Sequence, residues 1–336
     1  MSSKEAFRKL IDSGIPVQDN PYCKYDALES NADLENLFEV LSQFKDFKGN
    51  HPVFTGVNVV ANPDFERVKA SDFRQYFYEP FTETIKKYPV HDRVYHLWLE
   101  GIEKRLFVPQ FHGREHLNAQ RWLRDLQKGN AHTRLAFDHG LWGIYSPLIK
   151  TEYQAAFDLE FSSDLDFQHS VIIEGIDLFE KLLGYQPRFF VPTNGPFNLA
   201  LEHTLFSKGI RYIMLDKLQK EPLGDGKYKT HIRFLGKKNK YGQIYLSRNG
   251  GFEPSQFPDQ DNVNVCLKNI ELTFRLHKPA TISTHRVNYI GWLHPENREK
   301  TLKQLKVLLR GIIKKWPEVE FMTSDELGDL IASGKE

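Results

Sequence analysis

The feature that most constrains this chain is an alternation. Short, nearly continuous apolar runs rich in β-branched and aromatic residues occupy 52–60, 106–111, 133–137, 188–191, 211–215, 243–246, 280–283 and 319–322. Stretches of helical period separate them. Leu34, Leu37, Phe38, Leu41 and Phe44 form one apolar stripe, and Phe167, Val171, Ile176, Phe179 and Leu183 form another that stops at Gly184. Further helices are expected over 117–126, 198–208, 262–277 and 296–315, with 71–104 mostly helical. A strand apolar on both faces must be covered on both faces, which a parallel sheet between helices provides. The expected fold is therefore one α/β domain over residues 1–336, a (β/α) barrel, with a doubly wound open sheet as the alternative.

The beginning of the chain modifies this. Ser2-Ser3-Lys4-Glu5 reads as a capping box that opens a helix with Ala6, Phe7, Leu10 and Ile11 on its inner face. Gly14 closes that helix, and 15–17 reads as a short strand. In a β/α protein a strand normally feeds such a helix, so the barrel is expected to be distorted or incomplete and to lack its first strand. Bulk charge is silent on partners: 45 basic against 44 acidic residues leave +1, with no argument for nucleic acid or a membrane surface. Cys23 and Cys266 read as free thiols rather than as a disulfide framework or a zinc knuckle. No apolar run approaches the roughly 20 residues of a membrane span, and no signal pattern opens the chain, so a cytoplasmic location is expected.

In α/β sheets, chemistry sits beyond the carboxyl ends of the strands. After the strand at 106–111 comes His112-Gly113-Arg114-Glu115-His116, two imidazoles four residues apart that can share a metal. After 280–283 comes Thr284-His285-Arg286, where His285 is a candidate general acid or a satisfied structural histidine. The strand at 188–191 breaks into Pro192-Thr193-Asn194-Gly195, where Asn194 either caps the next helix or contacts substrate. Asp138 and Arg248 supply a carboxylate and a guanidinium at two further strand ends. Residues 217–240 hold eight Lys or Arg against two acids, the composition of a solvated hairpin or of a flap over an anionic substrate.

These segments resemble the polysaccharide deacetylase (NodB-homology) superfamily of glycoside hydrolase/deacetylase barrels. The resemblance runs over nearly the whole chain and is strongest across 20–30, 107–118, 241–255 and 280–290, and in the closing segment from Trp316 to Leu327. It implies a divalent metal, zinc, held by His112 and His116, with His285 as the acid that protonates the leaving group. Arg114, Glu115, Asp138, Asn194 and Arg248 then become candidate substrate contacts. The superfamily's Asp-Asp pair has no counterpart here and would fall just before Ser2. The activity implied is metal-dependent removal of N- or O-acetyl groups from a glycan. Two alternatives stand beside it. One is a degenerate barrel that binds carbohydrate without cleaving it, using faces such as Trp98, Trp122, Trp142, Trp292 and Trp316. The other is an inverted zinc peptidase, since residues 112–116 also fit H-x-x-E-H.

Overall fold

The structure is a computed structural model, and it describes residues 4–15, 17–143 and 153–334. Eleven strands follow in chain order among these residues: β1 (Phe54–Val59), β2 (Ala61–Pro63), β3 (Tyr78–Pro80), β4 (Phe107–Gly113), β5 (Phe189–Phe190), β6 (Tyr212–Met214), β7 (Leu218–Gly224), β8 (Lys227–Ile232), β9 (Ile244–Leu246), β10 (Gly250–Gly251) and β11 (Ile282–Ser283). The central sheet is parallel, in the order β1-β4-β5-β6-β9. β10 and β11 form a separate parallel pair, while β2–β3 and β7–β8 are antiparallel. The architecture is the expected α/β one, a distorted barrel whose parallel strands fall into two parts.

Register explains why the strands read as continuous apolar runs. Phe111 pairs with Phe190, Phe190 with Ile213, and Ile213 with Tyr245, making one row across four strands in the main core. One residue earlier, Phe189, Tyr212 and Ile244 form a row that packs in a second cluster with Val191, Met214 and Leu246. Both faces are thus buried, and each fully buried side chain of this size contributes about 2 kcal/mol. Helices Val94–Glu103 and Leu165–Leu183 pack on β4, and the C-terminal helix Ser324–Ser333 lies against β9. Helix Pro295–Lys315 buries Leu302, Leu305, Leu309 and Ile312 and turns its basic side outward, as its stripe implies.

Several expectations need correction. Residues 133–137 lie in a helix, Ala131–Asp138, because the Asn130 side chain accepts from the Thr133 N–H at 3.1 Å and caps it. Its apolar residues Ala136 and Phe137 cover one side only. Residues 319–322 form no strand. They are tied to a loop instead, with the Phe321 N–H donating to Asp46 Oδ2 at 2.7 Å and the Phe47 N–H to the Val319 carbonyl at 3.2 Å. The 71–104 stretch is broken into helices Phe81–Lys86 and Val94–Glu103 beside the β2–β3 pair. Val17 opens a 3-10 turn, Val17–Asp19, rather than ending a strand. The first helix runs Lys4–Asp12 and Gly14 follows it with φ 77°, while Ser2, Ser3 and Pro16 lie outside the described residues. Among the described residues no helix is long and apolar enough to cross a membrane.

Candidate active site at the carboxyl ends of the strands

Parallel strands deliver all their carboxyl ends to one face, and this face gathers the polar groups. β4 ends on His112, whose Nδ1 lies 2.7 Å from the Val191 carbonyl just past β5. A carbonyl only accepts, so Nδ1 carries the proton and Nε2 is the free nitrogen. His116 follows, its ring centroid 5.0 Å from that of His112. Burial pushes the pKa of His112 well below its ordinary value, and the charges of His116, Arg248 and His285 add to the effect. Burial likewise lowers His116 to about 4. Both imidazoles are therefore neutral at neutral pH.

β6 runs on to Leu215 and Asp216. A Cβ on Gly195, which sits at φ 96°, would come within 3.1 Å of Asp216 Oδ2, so the turn after β5 must carry glycine to lie against this carboxylate. Asp216 is exposed, and no hydrogen bond or ion pair holds it among the described residues. β9 runs on to Ser247 and Arg248. The Arg248 guanidinium keeps solvent contact, yet the walls around it displace enough water to lower its pKa, against the pull of Asp216 and Glu253. Leu215, Asp216, Lys217, Arg233, Phe234, Leu235, Ser247 and Arg248 enclose a cleft of about 270 Å³.

The separate parallel pair brings the remaining groups together. Gly250 pairs with Ile282 and Gly251 with Ser283, so two residues further on Glu253 falls beside His285. His285 Nδ1 lies 2.6 Å from Glu253 Oε1. The other carboxylate oxygen accepts from Asn288 Nδ2 at 2.7 Å and Gln256 Nε2 at 2.8 Å. Glu253 is thus a fixed acceptor that orients the imidazole, and the His285 side chain remains half exposed. The segment around 20–30 closes one side: the Tyr22 ring meets His285 edge-on at 5.9 Å, and Arg286 pairs with Asp26 and Glu29, each at 3.1 Å.

Of the residues the sequence proposed, His112, His116, Arg248 and His285 lie at this face. Arg114 and Glu115 do not reach it. The chain turns inward after Gly113, and both side chains are almost wholly buried, paired through Nε and Nη2 at 2.6 and 2.7 Å. Glu174 bonds the same guanidinium, which also stacks 4.2 Å over Tyr78. These two residues hold the core together and are not available to a substrate. Asp138 ends a helix rather than a strand and points to solvent, so the expectation of a carboxylate at a strand end does not hold there. Asn194 adopts φ 51° in the turn, and its Nδ2 donates to Gln154 Oε1 at 3.2 Å. Asp216 and Glu253 were not singled out in the sequence. Asp216 comes just after its strand, but it adjoins the basic stretch and reads as part of it. The pairing of Glu253 with His285 is purely tertiary.

Among the described residues the zinc expectation is short of donors. Catalytic zinc takes three protein ligands, and no third His, Cys, Asp or Glu joins His112 and His116 among the described residues. The peptidase alternative fails as well, since it needs both histidines on one helix and His112 is a strand residue.

Three solved structures show a distant likeness to the chain. It is similar to a presumed polysaccharide deacetylase from Mycobacterium smegmatis (11% identity, 97% of this chain and 84% of that one, TM-score 0.47). It is also similar to the 4-alpha-glucanotransferase of Thermococcus litoralis (14% identity, 95% and 38%, TM-score 0.43). A third is the GH57 branching enzyme of Thermococcus kodakaraensis (12% identity, 97% and 64%, TM-score 0.38). The chain thus spans 38% of the glucanotransferase and 64% of the branching enzyme, and likenesses this distant say nothing about chemistry. No curated protein matches it. The family comparison is decisive: residues 35–308 match glycosyl hydrolase family 57. That match overturns the expectation of metal-dependent deacetylation, because the family is defined on glycosidic rather than acyl bonds. By this match over most of its length, the chain belongs to glycosyl hydrolase family 57.

Proposed function

We propose that the chain makes or breaks a glycosidic bond at this face, acting on a carbohydrate through Asp216 and the Glu253–His285 couple. The observation that carries the reading is their joint placement. An exposed carboxylate with no partner among the described residues lines one cleft with Arg248, and a second carboxylate orients an imidazole, both at the carboxyl ends of the strands. Glycosidic chemistry needs one group to protonate the departing oxygen and another to receive the proton of the attacking hydroxyl.

Nδ1 of His285 is committed to Glu253, so Nε2 is the ring atom left to carry a transferable proton. Protonated there, His285 gives that proton to the glycosidic oxygen as its bond to the anomeric carbon breaks. Asp216 takes the proton of the attacking hydroxyl as the new bond to that carbon forms. Water as the attacking group gives hydrolysis, and a sugar hydroxyl gives transfer. Asp216 then releases its proton to solvent and His285 recovers one. Neutral His112, with Nε2 free, is placed to accept a hydrogen bond from a sugar hydroxyl.

The test is release of reducing ends, or formation of new oligosaccharides, from a panel of polysaccharides. Asp216→Asn is expected to lower turnover on the best substrate by about a hundredfold or more, the usual scale for a lost acid or base, with sugar binding kept. Unchanged turnover would overturn the assignment of Asp216. Binding of the panel without any turnover would recast the chain as a carbohydrate-binding barrel.

A further inference from the structure

The cleft beside Asp216 has the wrong charge for a neutral sugar. Its lining carries three cations, Lys217, Arg233 and Arg248, against one carboxylate. Counting Glu253, whose charge also reaches Arg248, an excess of positive charge remains. Glycosidic cleavage passes through a transition state with positive charge on the sugar ring. Surplus cations close to that ring oppose it unless the substrate brings a compensating anion.

The three cations are also differently engaged. Arg233 is held by the hairpin: its Nε donates to Gln219 Oε1 at 2.9 Å, and its plane lies 4.3 Å over Tyr245. No acid pairs with it among the described residues. Lys217 is exposed at the rim and has no ion pair there either. Arg248 is the sharpest case. It sits in the recess with no hydrogen bond or ion pair among the described residues, so its planar fork of donors has no protein acceptor. Such a fork matches the paired oxygens of a carboxylate or a sulfate ester. Phe234, 56% exposed on the same wall, offers a sugar ring a stacking face.

We propose that this cleft is a subsite for a sugar bearing an anionic group, gripped by the Arg248 fork with Lys217 at the rim and Phe234 against the ring. The inference rests on the carbohydrate reading above and narrows it to acidic glycans. Arg233 adds to the field, with its guanidinium anchored on Gln219 Oε1 through Nε and Nη2. Asp216 faces the same cleft, so the acidic unit sits next to the bond that reacts.

The experiment is titration of the full chain with three probes: tetragalacturonate, a sulfated carrageenan tetrasaccharide and neutral maltotetraose. One or both acidic probes are expected to bind at least about tenfold more tightly than maltotetraose at low salt, with the gap narrowing as sodium chloride rises. Preference for tetragalacturonate identifies a carboxylate ligand, and preference for the carrageenan fragment a sulfate ester. Arg248→Gln should remove the preference for the acidic probes over maltotetraose, and Arg248→Lys should restore only part of it, because charge without the fork is not equivalent. Lys217→Gln should weaken acidic probes by a smaller factor, which guards against a folding artefact at position 248. Equal binding of maltotetraose and the acidic probes would overturn this inference and leave the glycosidic reading standing. Acidic preference together with unchanged turnover in Asp216→Asn would do the reverse.

Discussion

Glu115→Gln should destabilise the protein without being a substrate-site mutation, and the structure sets the size of the effect. Arg114 and Glu115 keep only 3% and 2% of their side-chain surface exposed, and two parallel hydrogen bonds at 2.6 and 2.7 Å join them. Removing one partner of such a buried pair costs about 3–5 kcal/mol, because the other charge remains in a medium that solvates it poorly. Glu174 still bonds the guanidinium from a half-exposed position, so the lower end, about 3 kcal/mol, is expected. At about 2.1 cal/mol/K of unfolding entropy per residue, the 336 residues amount to about 0.7 kcal/mol/K, and the melting temperature should fall by about 4 °C. The assay is urea unfolding followed by far-ultraviolet circular dichroism, with the midpoint expected to drop at unchanged slope. The double variant Arg114→Met/Glu115→Leu should be less destabilised than Glu115→Gln, since it removes both charges together. A loss below about 1 kcal/mol, or a fall in turnover with no fall in stability, would refute the reasoning and return the pair to the substrate site.

Two further outcomes follow from the same geometry. Glu253→Gln keeps the size of the side chain but removes the anion that orients His285. The turnover number should fall about tenfold or more with KM little changed, whereas an unchanged turnover number would show that the couple is only structural. Acid should also weaken the fold through His116. Burial holds this imidazole at about 4 in the native state against 6.5 for an unburied one, so between those values the unfolded chain binds more protons. Stability should then decline as the pH drops from about 6.5 to about 4, by up to about 3 kcal/mol. Midpoints of urea unfolding across that range check this, and His116→Gln should flatten the dependence. An equal slope in wild type and variant would contradict it.

The strands of the central sheet were legible because burial on both faces leaves an unbroken apolar run, as in the Phe111, Phe190, Ile213 and Tyr245 row. The same signal misled at 133–137, where a short apolar stretch fits either period and the Asn130 cap decides the matter. It misled again at 319–322, where the carboxylate of Asp46 takes the backbone hydrogen bond that a sheet would have made. At the site, position after a strand singled out His112, His116, Arg248 and His285, which the structure brings to one face. The rule failed for Arg114 and Glu115 because it says nothing about which way the chain turns after the strand. Applied to Asp216 it would have succeeded, had the lysines that follow not drawn the residue into a loop. Glu253 was beyond it, since only the β10–β11 register sets that carboxylate beside His285. The resemblance to deacetylases ran over nearly the whole chain, with His112, His116 and His285 as its motif residues. Spacing is shared by barrels of different chemistry, and the family match over residues 35–308 assigned the chain otherwise.

The β7–β8 hairpin, whose two ends run into the cleft at Lys217 and Arg233, is fastened mainly through main-chain atoms and inward side chains. The Phe197 N–H donates to the Lys220 carbonyl at 3.1 Å, Asn198 Nδ2 to the Pro222 carbonyl at 2.8 Å and Gln219 Nε2 to the Phe197 carbonyl at 2.7 Å. At its tip Gly224 lies so close to Ser162 that a Cβ would come within 2.5 Å of its nitrogen. Leu218, Leu223 and Ile232 face outward and take no part in this attachment. Mutations there meet little resistance from the scaffold, so drift can rewrite the outer surface of the hairpin while its position holds. For an engineer the same division makes β7–β8 an adjustable surface: the fastening residues stay, and the outward ones can be changed without moving Lys217 and Arg233 at its base.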